Sequence, residues 1–415
     1  MELKTKYQYT YFIHPYVIKE SRYIKYILKL IKDKSCNLKF FEKQRDLDMY
    51  TYFLPEIRNF MFLGFSFNKS KIKKLEEMDI EMQATLLAKY PCIMFEYNIG
   101  KDAQGKVGKE NGIFFKIQKI EIICFNTGIC FLNLKTNIEE SNKFSDILDF
   151  NYKFRDINSE FTSLKEFENI KIQTDTFENI KSISEFVEEI TGPNLESVVL
   201  NLDTERFLTY SYTCIEQEYW NDKNKFDEIE HEFFKYSNVL PNSNNDSFNI
   251  NEINKNIKTI SKWKYIRCGF TKQGSALLTS GINTTNYTKL PFSYENEYLY
   301  TYIFILYKKI YLKKINLEFK RTNNPEKVRK QFVKFMKELW VQEITNDDTG
   351  SLMCEKWKEA LELDKIYLEI KTKYDVIYKE LNIEKTARTN KIIAEVLLVS
   401  LIFNIIGFFI LLKLY

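Results

Sequence analysis

The chain has 415 residues, of which 61 are Lys or Arg and 57 are Asp or Glu, and its formal net charge is +4. So small a charge gives no case for nucleic-acid binding by bulk electrostatics, and we expect no direct nucleic-acid contact. The seven cysteines form no CxxC pair, and the two histidines, His14 and His231, lie far apart, which argues against a zinc site. We therefore expect reduced, mostly buried cysteines and no required metal or cofactor. Lysine is abundant throughout, so local lysine density is not taken as a functional signal.

Residues 1–135 alternate helical and strand-like patterns and are predicted to form an N-terminal α/β domain. Residues 24–31 (IKYILKLI) have the spacing of one apolar helix face. Residues 114–131 (FFKIQKIEIICFNTGICF) are β-branched and alternating, with a turn at Asn126-Thr127-Gly128, which predicts a β-hairpin.

One segment of this domain approaches a phosphate-binding motif. Residues 100–107 (GKDAQGKV) have the Gly-x4-Gly-Lys spacing of a P-loop. However, Val107 stands where a Ser or Thr would bind Mg²⁺, and both flanks have strand character. A loop between two strands is therefore the better interpretation.

Residues 136–290 are predicted to form a second α+β region with polar insertions, either separate or part of the same ligand-sensing body. Residues 136–195 are rich in Asn, Ser, Asp and Glu and end at Thr191-Gly192-Pro193. Residues 241–247 (PNSNNDS) form a second polar insertion, which is typical of an exposed loop.

The candidate ligand site in this region is a short stretch that two glycines flank, with basic and hydroxyl side chains between apparent strands. Backbone N–H groups and a lysine in such a segment can surround a phosphate. An ordinary turn is the alternative. The candidate residues are Arg267, Thr271, Lys272, Gly274 and Ser275.

Residues 291–390 are predicted to form a stalk of long helices. Residues 294–319 have a dense aromatic and aliphatic core, and Asn324-Pro325 is a typical helix start. From Ser351 a third helix can run to Ile406, because neither Pro nor Gly interrupts it and its apolar residues recur by threes and fours across Asp364.

Residues 391–415 are predicted to contain one transmembrane helix. The apolar run from Ile392 to Leu412 has about the length that crosses a bilayer core. Lys385, Arg388 and Lys391 precede it, and this excess of basic residues predicts a cytoplasmic N-terminus and a single-pass topology. The fold class that follows is an α+β cytoplasmic body, a long helical stalk and one C-terminal transmembrane helix.

Ser400, Asn404 and Gly407 follow one another at spacings of four and three, so they share one face of this helix. Small and polar residues on one face are typical of helix–helix contacts in lipid, where an Asn without a partner is costly. We expect this stripe either to line a pore or to join helices without conducting.

The layout resembles the CorA-like membrane proteins associated with type III CRISPR systems, and more broadly a tail-anchored group related to the mitochondrial RMND and RMD proteins. The segments involved are 298–317 (YLYTYIFILYKKIYLKKINL), 343–357 (EITNDDTGSLMCEKW) and 374–384 (YDVIYKELNIE), which leads into the terminal helix. Residues 11–16 (YFIHPY) and 52–62 (YFLPEIRNFMF) agree with the CRISPR-linked branch.

The resemblance implies a CorA-like funnel of about four or five identical subunits in the inner (plasma) membrane of a bacterium. Its cytoplasmic domains would sense a nucleotide second messenger, with S-adenosylmethionine conjugated to AMP (SAM-AMP) as the type ligand, and its helices would form a pore in antiviral defence. The chain departs from transport-type CorA because it has no Gly-Met-Asn sequence and no second membrane helix.

The function expected from the sequence is a nucleotide-gated membrane effector or channel. The alternatives are a non-conducting, tail-anchored oligomeric scaffold and a divalent-cation channel of the CorA type, although both departures argue against selective Mg²⁺ transport. No nucleophile–base or metal constellation is visible in the sequence, so we do not expect an enzyme.

Overall fold

The computed structural model describes residues 2–65, 69–100, 103–108, 112–157, 170–175, 180–192, 195–243, 257–321, 325–340 and 343–414. Parts of several predicted segments lie outside these ranges: Lys101 and Asp102 of the P-loop-like stretch, Pro193, residues 244–247 of the polar insertion, Asn324 and Tyr415. The chain divides into two compact units. The sheet unit comprises Met1–Tyr311 and Val341–Leu363, and the helical unit comprises Leu312–Trp340 and Asp364–Tyr415.

The described strands all belong to one sheet. They are β1 (Thr5–Val17), β2 (Cys36–Leu38), β3 (Cys92–Tyr97), β4 (Gln104–Val107), β5 (Ile113–Phe125), β6 (Ile129–Ile138), β7 (Lys171–Gln173), β8 (Lys181–Ser182), β9 (Leu208–Ile215), β10 (Lys258–Ile260), β11 (Ile266–Phe270) and β12 (Gly274–Ser280).

The helices are distributed over both units. They are α1 (Glu20–Lys32), α2 (Leu47–Tyr52), α3 (Pro55–Met61), α4 (Lys69–Glu76), α5 (Ile80–Leu87), α6 (Phe144–Phe154), α7 (Ile183–Thr191), α8 (Leu195–Val199), α9 (Glu230–Asn238), α10 (Thr285–Thr288), α11 (Leu290–Ser293), α12 (Leu299–Arg321), α13 (Pro325–Glu338), α14 (Asp348–Ala360) and α15 (Leu363–Leu414). A 3₁₀ turn covers Phe226–Glu228, and a π-helical turn at Tyr294–Tyr298 precedes α12.

The sheet crosses the boundary predicted at residue 135. The strand order is β10-β11-β12-β9-β1-β6-β5-β4-β7-β8, with β3 on β5 and β2 on β3. The N-terminal strand β1 thus lies between β9 and β6 and pairs antiparallel with both. Among the described strands, only β9 and β12 run parallel. Segments before and after residue 135 therefore share one hydrophobic core.

Helices cover one face of the sheet through apolar and hydroxyl contacts. Phe12 of β1 lies 4.1 Å, between ring centroids, from Phe154 of α6. The Tyr16 hydroxyl, also on β1, is 2.6 Å from that of Tyr26 on α1. Alternate residues of one strand point to the same face, so α1 and α6 lie on the same side of the sheet.

Aromatic side chains cover the other face. Tyr294 of the π-helical turn stacks on Tyr210 of β9 at 4.2 Å, and Tyr307 of α12 stacks on Phe125 of β5 at 3.8 Å. Trp357 of α14 is fully buried in the same layer. The sheet unit is consequently a three-layer arrangement of helices, sheet and helices. Residues 291–311 and 341–363, which the sequence analysis placed in the stalk, belong to the sheet unit because their aromatic side chains fill this layer.

The β-hairpin predicted at residues 114–131 is confirmed. β5 and β6 pair antiparallel, and Gly128 in the turn has φ +81°. A Cβ at this position would lie 2.2 Å from the carbonyl oxygen of Ile18, so only glycine fits. In the P-loop-like stretch, Gln104–Val107 is strand β4, which pairs with β5 and β7.

The helix predicted to run unbroken from Ser351 to Ile406 is two helices. α14 ends at Ala360, and Glu362 has φ +53°, a left-handed conformation that no helix continues through. The apolar spacing continues past this point, which is why the sequence pattern gave no sign of the break. α15 then runs from Leu363 to Leu414.

The helical unit is held together by contacts between the end of α12, α13 and the first turns of α15. Trp340 stacks on Tyr367 at 4.1 Å, and Phe332 lies 5.1 Å from Tyr374. The Lys373 ammonium donates to the side-chain oxygen of Asn316 at 2.7 Å. These contacts fix the first part of α15, and its later residues are exposed.

Candidate functional site

The second half of α15 has an apolar surface that the rest of the described chain does not cover. One described helix, within Leu363–Ile410, is long and apolar enough to cross a membrane, and none of its most apolar window is buried. Its exposed side chains include Leu397, Leu401, Phe403, Phe408 and Phe409. Burial of apolar surface is worth about 25 cal/mol per Å², so this helix favours an apolar environment. The helix therefore supports membrane anchoring.

The polar stripe predicted on this helix lies on the same uncovered segment. Ser400 and Asn404 are exposed and Gly407 is half-buried. Apart from its chain neighbours and the backbone of its own helix, a Cβ at Gly407 would meet no described atom within 4 Å. Among the described residues, none packs against the stripe, so another molecule would have to supply a partner for the Asn404 side chain in lipid.

Arg267, the first residue of the candidate ligand stretch, is occupied within the fold. It lies on β11, and its guanidinium donates to the carbonyl oxygens of Trp263 at 2.8 Å and Ile266 at 3.0 Å. It also lies over the rings of Phe226, at 4.6 Å, and Trp220, at 5.5 Å. Burial lowers the pKa of the Arg267 side chain, the direction expected for a cation removed from water.

The remaining residues of this stretch form the β11–β12 turn and the start of β12. Lys272 makes an exposed ion pair with Glu362 at 2.7 Å. Thr271 is buried and donates to the carbonyl oxygen of Ser237 at 3.2 Å, and Ser275 is hydrogen-bonded to the Tyr294 hydroxyl at 3.1 Å. A Cβ at Gly274 would lie 1.8 Å from the Thr209 carbonyl oxygen. The polar side chains of Thr271, Lys272 and Ser275 therefore already have hydrogen-bond or ion-pair partners within the fold.

A cavity of about 480 Å³ lies elsewhere in the sheet unit, where β1 ends and α1 begins. Small-molecule sites have volumes of roughly 300–1,000 Å³. Three segments form the walls: the end of β1 with α1, the end of α7, and the start of α8. The lining residues are Val17, Ile18, Lys19, Arg22, Lys25, Tyr26, Lys29, Thr191, Gly192 and Glu196.

The charged lining of this cavity is mostly basic. The exposed cations are Lys19 at the N-cap of α1, Arg22 and Lys25 within the helix and Lys29 in its last turn, and Glu196 of α8 is half-buried. The Lys29 ammonium donates to the carbonyl oxygen of Glu189 at 2.5 Å, which ties α1 to the end of α7.

The apolar floor of the cavity is held by hydrogen bonds within the fold. The backbone N–H of Val17 donates to the buried Ser197 hydroxyl at 2.9 Å, and that of Ile18 donates to the Gly128 carbonyl oxygen at 2.8 Å. Tyr26 is buried, and burial raises its pKa well above 10, so its hydroxyl stays neutral beside Tyr16. The floor is therefore uncharged and fixed.

The cavity was not predicted from the sequence. The spacing of three, three and four from Lys19 to Lys29 was a usable signal, because it places the four cations near one another on a helix. Because lysine is abundant along the whole chain, this spacing does not stand out in the sequence. Gly192 and Glu196 lie more than 160 residues away in sequence, and only the fold brings them to α1.

Neither a metal site nor a similar protein indicates what the described part of the chain binds. All seven cysteines are buried and reduced, in agreement with the expectation from the sequence. Within the described ranges, no group of three or more His, Cys, Asp or Glu side chains is arranged to hold a metal ion.

No family model matches the chain, and no curated protein or solved structure shows significant similarity to it.

Proposed function

We propose that this protein is a membrane-anchored homo-oligomeric effector whose membrane helices form a pore that a nucleotide second messenger opens. The uncovered apolar half of α15 is the observation behind this proposal. A helix of this kind needs lipid around it, and one helix alone cannot enclose a pore. Several copies are therefore required.

The polar stripe supports assembly of the membrane helices. Asn404 has both a donor and an acceptor, and in hydrocarbon each needs a partner from another molecule. Identical helices placed around an axis would supply those partners through Ser400, Asn404 and Gly407. A ring of about four or five subunits with a cytoplasmic N-terminus, in the inner membrane of a bacterium, is the arrangement that we propose.

The proposed gating ligand rests on the resemblance of the sequence layout to CRISPR-linked CorA-like proteins. SAM-AMP, or a related nucleotide, is the proposed activator, and the loss of membrane integrity in type III CRISPR defence is the proposed outcome. The lack of a Gly-Met-Asn sequence favours a general leak over selective divalent-cation transport.

Dye release from liposomes tests this function. The purified full-length protein is reconstituted with a self-quenching dye inside, and its insertion is verified by flotation. Release only after addition of AMP, ATP or SAM-AMP supports a gated pore. Absence of release from inserted, oligomeric protein with every nucleotide would refute the pore and favour a non-conducting scaffold.

A further inference from the structure

We propose that the cavity between the end of β1, α1, the end of α7 and the start of α8 binds a water-soluble nucleotide, with its phosphates at Arg22 and Lys25. This inference rests on the proposed function and deepens it, because it places the gating ligand at defined residues. It differs from the site expected at residues 267–275.

The cations of the cavity provide the phosphate-binding half. Among the described residues, no carboxylate lies within ion-pair distance of Lys19, Arg22 or Lys25. Arginine binds phosphate with two parallel hydrogen bonds, and lysine adds a compact positive charge. A phosphate group here would therefore gain charge-assisted contacts without breaking an existing ion pair.

The first turn of α1 adds to this preference for anions. Lys19 occupies the N-cap position, and its side chain makes no capping hydrogen bond. The first N–H groups of a helix point outward and have a partial positive charge. Ile18, Lys19 and Arg22 all line the cavity, so the N-cap end of this helix borders it, and the acidic Glu20 of the first turn is not among the described lining residues.

The apolar floor provides the second half of a nucleotide site. Val17 and Tyr26 are almost fully buried beneath the cavity, and Ile18 is partly exposed beside them. A flat base can bury its faces on such a surface, whereas a bare polyphosphate gains nothing from it. Glu196 can accept hydrogen bonds from ribose hydroxyls or from an amino group of the base. The cavity thus favours a nucleotide over a simple anion.

The test is calorimetric titration of the full-length protein in detergent micelles with ATP and with inorganic tripolyphosphate. We expect ATP to bind about tenfold or more tightly than tripolyphosphate. The double variant Arg22→Ser/Lys25→Ser should weaken ATP binding by about tenfold to a hundredfold, because the phosphates lose the charge-assisted contacts of two solvent-exposed side chains. Lys32→Ser is the matched control, because Lys32 is exposed on α1 outside the cavity, and its affinity should equal that of the wild type.

Three results would overturn the proposal. They are equal affinities for ATP and tripolyphosphate, no saturable ATP binding, and a loss of binding in Arg267→Ala/Lys272→Ala that Arg22→Ser/Lys25→Ser does not share. The micelles contain no phospholipid, so headgroups cannot account for ATP binding. If Arg22→Ser/Lys25→Ser instead weakens only association with phosphatidylglycerol vesicles, the site is for lipid and the proposal is wrong.

The binding test is independent of the pore. ATP binding that needs Arg22 and Lys25, together with dye release that never occurs, would keep this site and remove the channel. Nucleotide-dependent dye release that survives the loss of both cations would instead keep the channel and reject this binding site. Thermal unfolding of each variant verifies that the exposed substitutions leave the fold intact.

Discussion

The Tyr300 hydroxyl on α12 donates a hydrogen bond at 2.8 Å to Oε1 of Glu121 on β5, which joins the helix to the middle of the sheet. Glu121 is fully buried, and the ammonium groups of Lys39, at 2.7 Å, and Lys119, at 3.0 Å, contact the same oxygen. Burial alone would raise the pKa of this carboxyl. The two lysines outweigh burial and hold the pKa well below its usual range.

Replacing this carboxylate should be costly. Glu121→Gln keeps the shape of the side chain but removes the buried negative charge that both lysines contact, and leaves Lys39 with the half-exposed Glu96. We expect the free energy of unfolding to fall by about 2–4 kcal/mol, measured by urea titration in detergent. Glu96→Gln is the control, because Glu96 is half-exposed and contacts Lys39 at 3.3 Å, and it should cost no more than about 1 kcal/mol. Equal losses in both variants would mean that the buried Glu121 stabilises the fold no more than the half-exposed Glu96 does.

The Tyr300 contact can be tested separately. Tyr300→Phe removes the hydrogen bond to the Glu121 carboxylate and the one that the hydroxyl accepts from Lys39 at 3.0 Å, and it keeps the ring contacts with Phe41 and Phe62. The expected loss is about 1–3 kcal/mol in the same titration. Tyr302→Phe, on the same helix, is the matched control, because the buried Tyr302 hydroxyl has no hydrogen-bond partner among the described residues. A loss for Tyr300→Phe no larger than that for Tyr302→Phe would show that the hydrogen bonds of Tyr300 contribute little.

Glu297, in the π-helical turn, should make stability depend on pH with the opposite sign to Glu121. Burial, with help from Asp48 and Asp347 and against a hydrogen bond from Ser293, raises the pKa of Glu297 to about 7. The folded state therefore holds this proton more tightly than the unfolded state, whose Glu pKa is about 4.3. The stability that Glu297 contributes is complete below about pH 4.3 and is lost as the pH rises to 7.

The variant Glu297→Gln should remove that loss. Unfolding midpoints measured between pH 5 and 7.5 should fall with pH less steeply in Glu297→Gln than in the wild type. Glu121 contributes little slope in this window, because both its folded and unfolded pKa values lie below it. Identical slopes for the two proteins would mean that Glu297 is ionised throughout this range.

The two cations of the β11–β12 hairpin should differ in their effect on stability. Arg267→Ala removes two hydrogen bonds to backbone carbonyls and the contact with Phe226, and should lower the free energy of unfolding by about 1–3 kcal/mol. Lys272→Ala should cost at most about 1 kcal/mol, because its ion pair with Glu362 is solvent-exposed. A larger loss for Lys272→Ala than for Arg267→Ala would contradict the roles that these contacts imply.

The polar stripe on α15 should be needed for dye release through the membrane. Asn404→Leu keeps the helix apolar and inserted but removes its interhelical hydrogen bonds, so nucleotide-triggered dye release should fall by roughly tenfold. Phe403→Leu changes a neighbouring residue on another face and should leave release unchanged. If Asn404→Leu inserts normally and releases dye like the wild type, the stripe has no part in the pore.

Local sequence patterns correctly predicted the elements whose residues contact neighbours close in sequence. The β5–β6 hairpin and helix α1 follow from alternation, helical spacing and the Gly128 turn. The position of β1 beside β9 does not follow, because it pairs Tyr9 with Tyr212, about 200 residues apart, and only tertiary packing selects that partner. The break at Glu362 was missed for a different reason, since neither Gly nor Pro marks it and the apolar spacing continues past it.

The candidate sites also differ in whether one continuous segment or the tertiary fold forms them. The membrane helix and its stripe are encoded in one continuous segment, so composition and spacing suffice to predict them. The cavity needs Gly192 and Glu196 to be brought to Arg22 by the fold. The segment from Arg267 to Ser275 has the composition of an anion-binding turn, yet its polar groups contact Trp263, Ser237, Glu362 and other parts of the fold.

Whether nucleotide binding opens the pore is tested by comparing nucleotide binding with membrane leakage in one preparation. Dye release from liposomes is measured against SAM-AMP and ATP concentration, beside the binding curve of the same protein. For a gated pore, half-maximal release should occur near the dissociation constant for the activating nucleotide. Both curves should shift together, by about tenfold or more, in Arg22→Ser/Lys25→Ser. Release that is independent of nucleotide, or that keeps its midpoint when binding is weakened, would contradict a pore gated from the sheet unit.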